Sequence, residues 1–122
     1  MIRKRSNPVN YDLCRQKVTV YHKTDDGHFT RTEYEKAFLE FKKNESIDTT
    51  GSSEVNSFLL IIPGNDVKLY TGDKVYLGTG PRIAKSEEWA ALIPAKTPGL
   101  VVIKNVDIKY WDGQQVHVEA GG

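Results

Sequence analysis

The stretch Thr71-Gly72-Asp73-Lys74-Val75-Tyr76-Leu77-Gly78-Thr79-Gly80-Pro81 limits what this chain can become more than any other part of it. A Gly-Asp pair precedes four residues and Gly-Thr-Gly-Pro follows them. Glycine reaches positive φ at little steric cost and proline cannot continue as an interior strand, so both flanks are turns. Between them Val75 and Leu77 alternate with Lys74 and Tyr76, the period of a half-buried strand. A chain punctuated in this way is made of short strands and tight turns, with its working surfaces on loops and edges.

The pattern recurs along the sequence. Val18-Thr19-Val20-Tyr21-His22 has the β-branched and aromatic content of a first strand, Thr24-Asp25-Asp26-Gly27 supplies a hairpin turn, and His28-Phe29-Thr30-Arg31-Thr32 begins the return. Tyr34, Phe38 and Phe41 stand at helical spacing among good helix formers. The segment nevertheless runs on from Thr32 without a break, and Ala37, Leu39 and Phe41 alternate, so 34–43 is predicted as strand. Residues 44–56 are polar and aperiodic, a long loop that is either a hairpin tip ordering against a partner or a tolerated surface insertion.

Residues 55–62 form the most apolar strand and are predicted to be covered on both faces. Pro63-Gly64-Asn65-Asp66 then turns the chain toward the Lys74–Leu77 strand, read as central. Ser86-Glu87-Glu88-Trp89 opens a helix of about two turns, with Ser86 as cap, Pro94 as stop, and Trp89, Leu92 and Ile93 as the buried face. Residues 100–108 read as one strand, Trp111-Asp112-Gly113-Gln114 as a second hairpin turn, and Val116-His117-Val118-Glu119 as the closing strand. The expected fold class is mainly β: a small antiparallel β-barrel or sandwich with one short helix and a long hairpin loop.

At 122 residues the chain fits one domain, residues 13–122, preceded by a basic arm over residues 1–12. Cys14 is the sole cysteine, which excludes an intrachain disulfide and suits a reducing compartment. The five-residue run Phe58–Ile62 falls far short of the ~20 apolar residues a spanning helix needs. Met1-Ile2-Arg3-Lys4-Arg5 is basic but has no apolar region behind it, so it does not read as a secretory signal. The net charge of +1 hides an asymmetry: residues 1–23 carry Arg3, Lys4, Arg5, Arg15, Lys17 and Lys23 against Asp12 alone, which leaves the remainder acidic. A basic arm on an acidic body points to docking on an acidic surface, another copy of the chain included, or to a solvated terminus.

No constellation of catalytic residues accompanies this framework. His22 and His28 flank the same turn and are placed to face each other across the hairpin, but the spacings of His22, His28, His117 and Cys14 match no zinc pattern. Cys14 reads as a small buried hydrophobe rather than a nucleophile. Asp25-Asp26 and Glu87-Glu88 are explained by a turn and a helix start. Gly72, Gly78 and Gly80 make no phosphate loop, and no serine stands in a nucleophile elbow. Tyr76, Tyr110 and Trp111 read as core or rim packing rather than base-stacking platforms. No metal, cofactor or membrane partner is expected.

Taken together, Lys17–His22 with its Asp26-Gly27 turn and Thr30-Arg31-Thr32, the Gly72–Gly78 element, and Ile103–Ile108 with the Gly113 turn and Val116–Glu119 resemble the head-completion proteins of tailed bacteriophages, also called stopper, head-closure or minor capsid proteins. The resemblance covers residues 12–120, and the Ser86–Pro94 insertion is similar to that of phages of Gram-positive bacteria. It implies a non-enzymatic virion protein, assembled in the bacterial cytoplasm, that forms a hexameric or dodecameric ring at the head–tail connector. Such a ring closes the portal channel after packaging and receives the tail. Its partners would be further copies, portal and adaptor proteins, tail proteins, and packaged DNA without sequence readout. Candidate inter-subunit or channel contacts are Arg3, Lys4 and Arg5 on the arm and Glu45, Asp48, Ser52 and Glu54 on the loop. The alternatives are a tail-terminator or tail-tube component, and a nucleic-acid-binding small barrel.

Overall fold

The computed structural model describes residues 11–43, 56–94 and 96–122. Seven strands and one helix follow in the order β1 (Gln16–Lys23), β2 (Phe29–Lys43), β3 (Asn56–Pro63), β4 (Lys74–Leu77), α1 (Ser86–Ala91), β5 (Leu100–Val102), β6 (Asn105–Trp111) and β7 (Gln114–Gly121). They make one antiparallel sheet in the order β5-β4-β1-β2-β3-β7-β6, open at β5 and β6. The mainly-β class with a single short helix is as expected, and 34–43 is strand throughout.

The sheet folds over itself through β2. Its first part pairs with β1, from Lys23↔Phe29 to Gln16↔Ala37, and its last part pairs with β3, from Phe38↔Ile61 to Lys43↔Asn56. The two ladders do not overlap along β2. Where β1 runs out, the Gln16 side chain takes over, its Oε1 accepting from the Leu39 amide at 2.7 Å. Core residues then come from both halves: Val18, Val20, Val75 and Val101 from one, and Leu39, Leu60, Ile62, Val118 and Ala120 from the other. Val67 and Leu69 on the 64–73 crossing and Ile103 on the return complete this core. Burying a side chain such as Leu60 or Ile62 is worth about 2 kcal/mol, so the apolar faces are what hold the halves together.

The strand covered on both faces is β1, and not β3 as the apolar run predicts. Val18, Thr19, Val20 and Tyr21 are buried in succession, whereas Leu59 and Ile61 on β3 stay half-exposed. The cause is the excursion over residues 78–99, which lies on the outer face of β1 and β4 and buries Tyr21, Leu92 and Leu100 together. Nothing equivalent covers the outer face of β3 among the described residues. The Lys74–Leu77 strand is likewise next to an edge rather than central.

Helix α1 departs from expectation at both ends. Lys85 is the cap position and Ser86 the first helical residue, while Glu88 reaches back to accept from the Ala84 and Lys85 amides at 3.3 and 3.2 Å. The helix stops at Ala91, before Pro94, and buries none of its own residues. It is anchored instead by Trp89, whose ring stacks on Phe29 (5.5 Å between centroids) and lies under the Lys74 ammonium. Lys74 also donates to the Trp89 carbonyl at 2.6 Å, and burial lowers its pKa. The predicted strand over 100–108 is two strands. At Ile103 and Lys104 the chain leaves β4 for β7: the Ile103 amide donates to Asp73 O and the Lys104 amide to Gly121 O.

The Gly-Thr-Gly-Pro segment is laced to β1 and β2. Thr19 Oγ1 donates to Gly78 O at 2.8 Å and accepts from Gly80 N at 3.0 Å, and the Tyr21 hydroxyl donates to Pro81 O. The Arg31 guanidinium donates twice to Gly80 O, at 3.2 and 2.6 Å. Gly72 and Gly78 take positive φ, but Gly80 does not. Its lack of a side chain answers to space: a Cβ there would overlap the Tyr21 hydroxyl oxygen. We predict that Gly80→Ala lowers stability by about 3 kcal/mol in urea denaturation, and that Tyr21→Phe added to it recovers part of the loss. Losses that simply add would contradict this packing.

Arg31, and after it Lys17, hold the Glu33 carboxyl below the usual carboxylate range. A carboxylate favoured in the folded state adds stability above its unfolded pKa, and that increment fades as pH falls through the lower folded value. Glu33→Gln is therefore expected to flatten the acid limb of a stability–pH curve while leaving its shape above neutrality unchanged.

Candidate functional site

Two places on the described surface combine exposure with organised chemistry. The first is the free edge at β6. Its residues alternate strictly: Val106, Ile108 and Tyr110 on one face, Asp107 and Lys109 on the other. The apolar face is the one that continues the core, since Ile108 lies opposite the fully buried Val118 and Val106 opposite Ala120. Val106 still packs on the core, but Ile108 is 42% exposed and Tyr110 63% exposed. The core thus ends beneath β7 and leaves apolar side chains overhanging at the edge.

The polar face of β6 is a chain of contacts. The Lys109 ammonium lies 2.7 Å from Asp107 and 3.6 Å from Glu119, and so bridges two carboxylates that oppose each other across β6 and β7. Asp107 foremost raises the Lys109 pKa. Glu119 continues to His117 Nε2 at 3.4 Å, and His117 Nδ1 meets the Tyr11 hydroxyl at 2.7 Å. The register shift between Lys109 and Tyr110 places the extra residue on β7, where two steps answer one on β6. The edge strand itself is therefore unbroken, with one row of peptide groups facing outward.

The second place is a groove of about 260 Å³ toward the turn end of the β1–β2 hairpin, beneath the 64–73 crossing. His22, Thr30, Thr32 and Tyr34 line it from the sheet, and Asp66, Lys68, Tyr70 and Asp73 from the crossing. Asp73 is 2% exposed and accepts from His22 Nδ1 at 2.6 Å and from the Tyr70 amide at 3.0 Å. The imidazole also lies against the Tyr70 ring at 4.5 Å. A carboxylate at Nδ1 fixes the ring so that Nε2 is the second nitrogen available for hydrogen bonding. The groove can hold a small polar group by hydrogen bonds and charge.

The residues singled out from sequence fall elsewhere. Arg3, Lys4 and Arg5, and Glu45, Asp48, Ser52 and Glu54, lie outside the described residues. His22 and His28 do not meet: His22 pairs with Thr30 and turns to Asp73, while the exposed His28 sits 3.7 Å from Asp26 at the hairpin tip. Cys14 is buried, and burial pushes its thiol pKa up. No group of three or more potential metal ligands occurs among the described residues. Of the three aromatics read as packing, Tyr76 joins the outer cluster and Trp111 is half-buried, but Tyr110 faces solvent. The alternation Val106-Asp107-Ile108-Lys109-Tyr110 carries the signal of an exposed strand; reading 100–108 as one element hid it.

Removing the Asp73 carboxylate leaves the Tyr70 amide and His22 without their acceptor. Asp73→Ala is expected to cost about 2–3 kcal/mol by chemical denaturation, and Asp73→Asn, which keeps an acceptor, distinctly less. Equal losses for the two would contradict the assigned role.

No curated protein and no solved structure matches the chain. Residues 13–122 match the family of unknown function DUF6751, which covers both the β6 edge and the His22 groove, and the chain belongs to that family.

Proposed function

We propose that this protein is a structural component of the head–tail connector of a tailed bacteriophage, a ring-forming module that closes the portal channel after packaging and presents a surface to the tail. The observation that carries this reading is the overhanging apolar edge. Ile108 and Tyr110 are adjacent on one face of a strand with an open side, and such surfaces serve protein association. The antiparallel β2–β3 pair agrees with it, since adjacent strands ending at Lys43 and Asn56 carry residues 44–55 between them, as a hairpin presented to a channel or a neighbouring chain would require. In this reading the protein's work is done by fitting surfaces together.

The test is association with the neighbouring particle components. Co-expressed with a tailed-phage portal protein from the same genome and imaged by electron microscopy, the protein is expected to appear as a ring coaxial with the portal. Copurification with tail tubes instead, or no association with either, would overturn the connector assignment.

A further inference from the structure

We propose that the β6 edge is a two-fold contact, by which two copies of this chain pair their β6 strands antiparallel about Ile108. The argument starts from the order of side chains in Val106-Asp107-Ile108-Lys109-Tyr110. In an antiparallel pair centred on Ile108, that residue meets itself, Asp107 meets the second copy's lysine at 109, and Val106 meets the aromatic ring at 110. Each cross-strand pair among residues 106–110 is then favourable: apolar on apolar along one face and acid on base along the other. A shift of the centre by one residue, to Asp107 or Lys109, sets like charges directly against each other.

The geometry of the edge fits this register. The strand is unbroken, because the irregularity against its neighbour is taken up by β7. A register centred on a residue closes its hydrogen-bond ladder whichever alternate row of peptide groups faces outward, since either the central pair or the flanking 107–109 pairs exchange bonds. The exposed Ile108 and Tyr110 become covered by their counterparts, which extends the apolar layer across the two-fold axis. Lys109, already held between Asp107 and Glu119, gains a further carboxylate and is not stripped of its own. An isologous contact of this kind is satisfied by two chains and does not propagate into fibres. It covers the long free edge of a sheet whose other edge, β5, has only three residues.

This pairing rests on the same β6 edge that supports the connector reading and is tested apart from it, since a two-fold contact closes at two chains and a ring needs a further, heterologous contact elsewhere on the surface. Sedimentation equilibrium of the whole chain across concentrations is expected to show a monomer–dimer equilibrium. Asp107→Lys and Lys109→Asp each set two like-charge pairs across the axis and should weaken the dimer about tenfold or more. The double exchange Asp107→Lys/Lys109→Asp restores opposite charges at both places and should return the affinity to within about threefold of the starting chain. Ile108→Lys, which places two ammonium groups on the axis, should give monomer, and circular dichroism of each variant establishes that it is folded. A chain that stays monomeric near millimolar concentration, an association indifferent to these changes, or a double variant as weak as the single ones would overturn the proposal. Portal association, measured separately, distinguishes this failure from failure of the connector assignment.

Discussion

The architecture depends on β2 being long enough to serve two partners in succession. Between Ala37 and Phe38 it passes from β1 to β3, and the non-overlapping ladders let one continuous sheet close over a single core. A strand of ordinary length would give either a flat sheet or two unconnected ones. The handover costs the β2 backbone a partner at the junction, and Gln16 offsets that by bonding the Leu39 amide with its side chain. The crossings at 64–73 and 103–104 follow from the same division, because each must carry the chain from one half of the sheet to the other.

On the outer face of the β1 half, the 78–99 excursion is held mainly by polar contacts to backbone carbonyls. Thr19, Tyr21 and Arg31 fix Gly78 to Pro81, and Lys74 fixes the carbonyl of Trp89. These contacts bury polar atoms, and every buried side-chain nitrogen and oxygen among the described residues has a partner. The fit is close enough that Gly80 admits no side chain. Half of the sheet is thereby made three layers thick, while on the β3–β7–β6 half the described residues cover the outer face only in part: His117 is buried with Tyr11 against it, and Leu59 and Ile61 stay half-buried.

Much of this was legible in the sequence where local rules govern. The Asp26-Gly27 and Asp112-Gly113 turns, the strand identity of 34–43 and the single short helix all follow from turn chemistry and side-chain period. What could not be read locally was coverage. Phe58–Ile62 is more apolar than Val18–Tyr21, yet the second is the strand buried on both faces, because burial is conferred by a segment sixty residues away. Likewise the break at Ile103 comes from a change of pairing partner, which no residue type announces. The buried Asp73 under His22 and the exposed Tyr110 at the sheet edge are consequences of topology in the same sense.

Among the described strand edges, β6 presents exposed apolar side chains and an outward row of peptide groups together, and the proposed pairing rests on it. Hydrogen exchange at the outward-facing β6 amides, followed as protein concentration is raised, tests this most directly. Protection confined to alternate residues around Ile108 that grows with concentration is the predicted result. Exchange at those amides that is fast and the same at every concentration would contradict it.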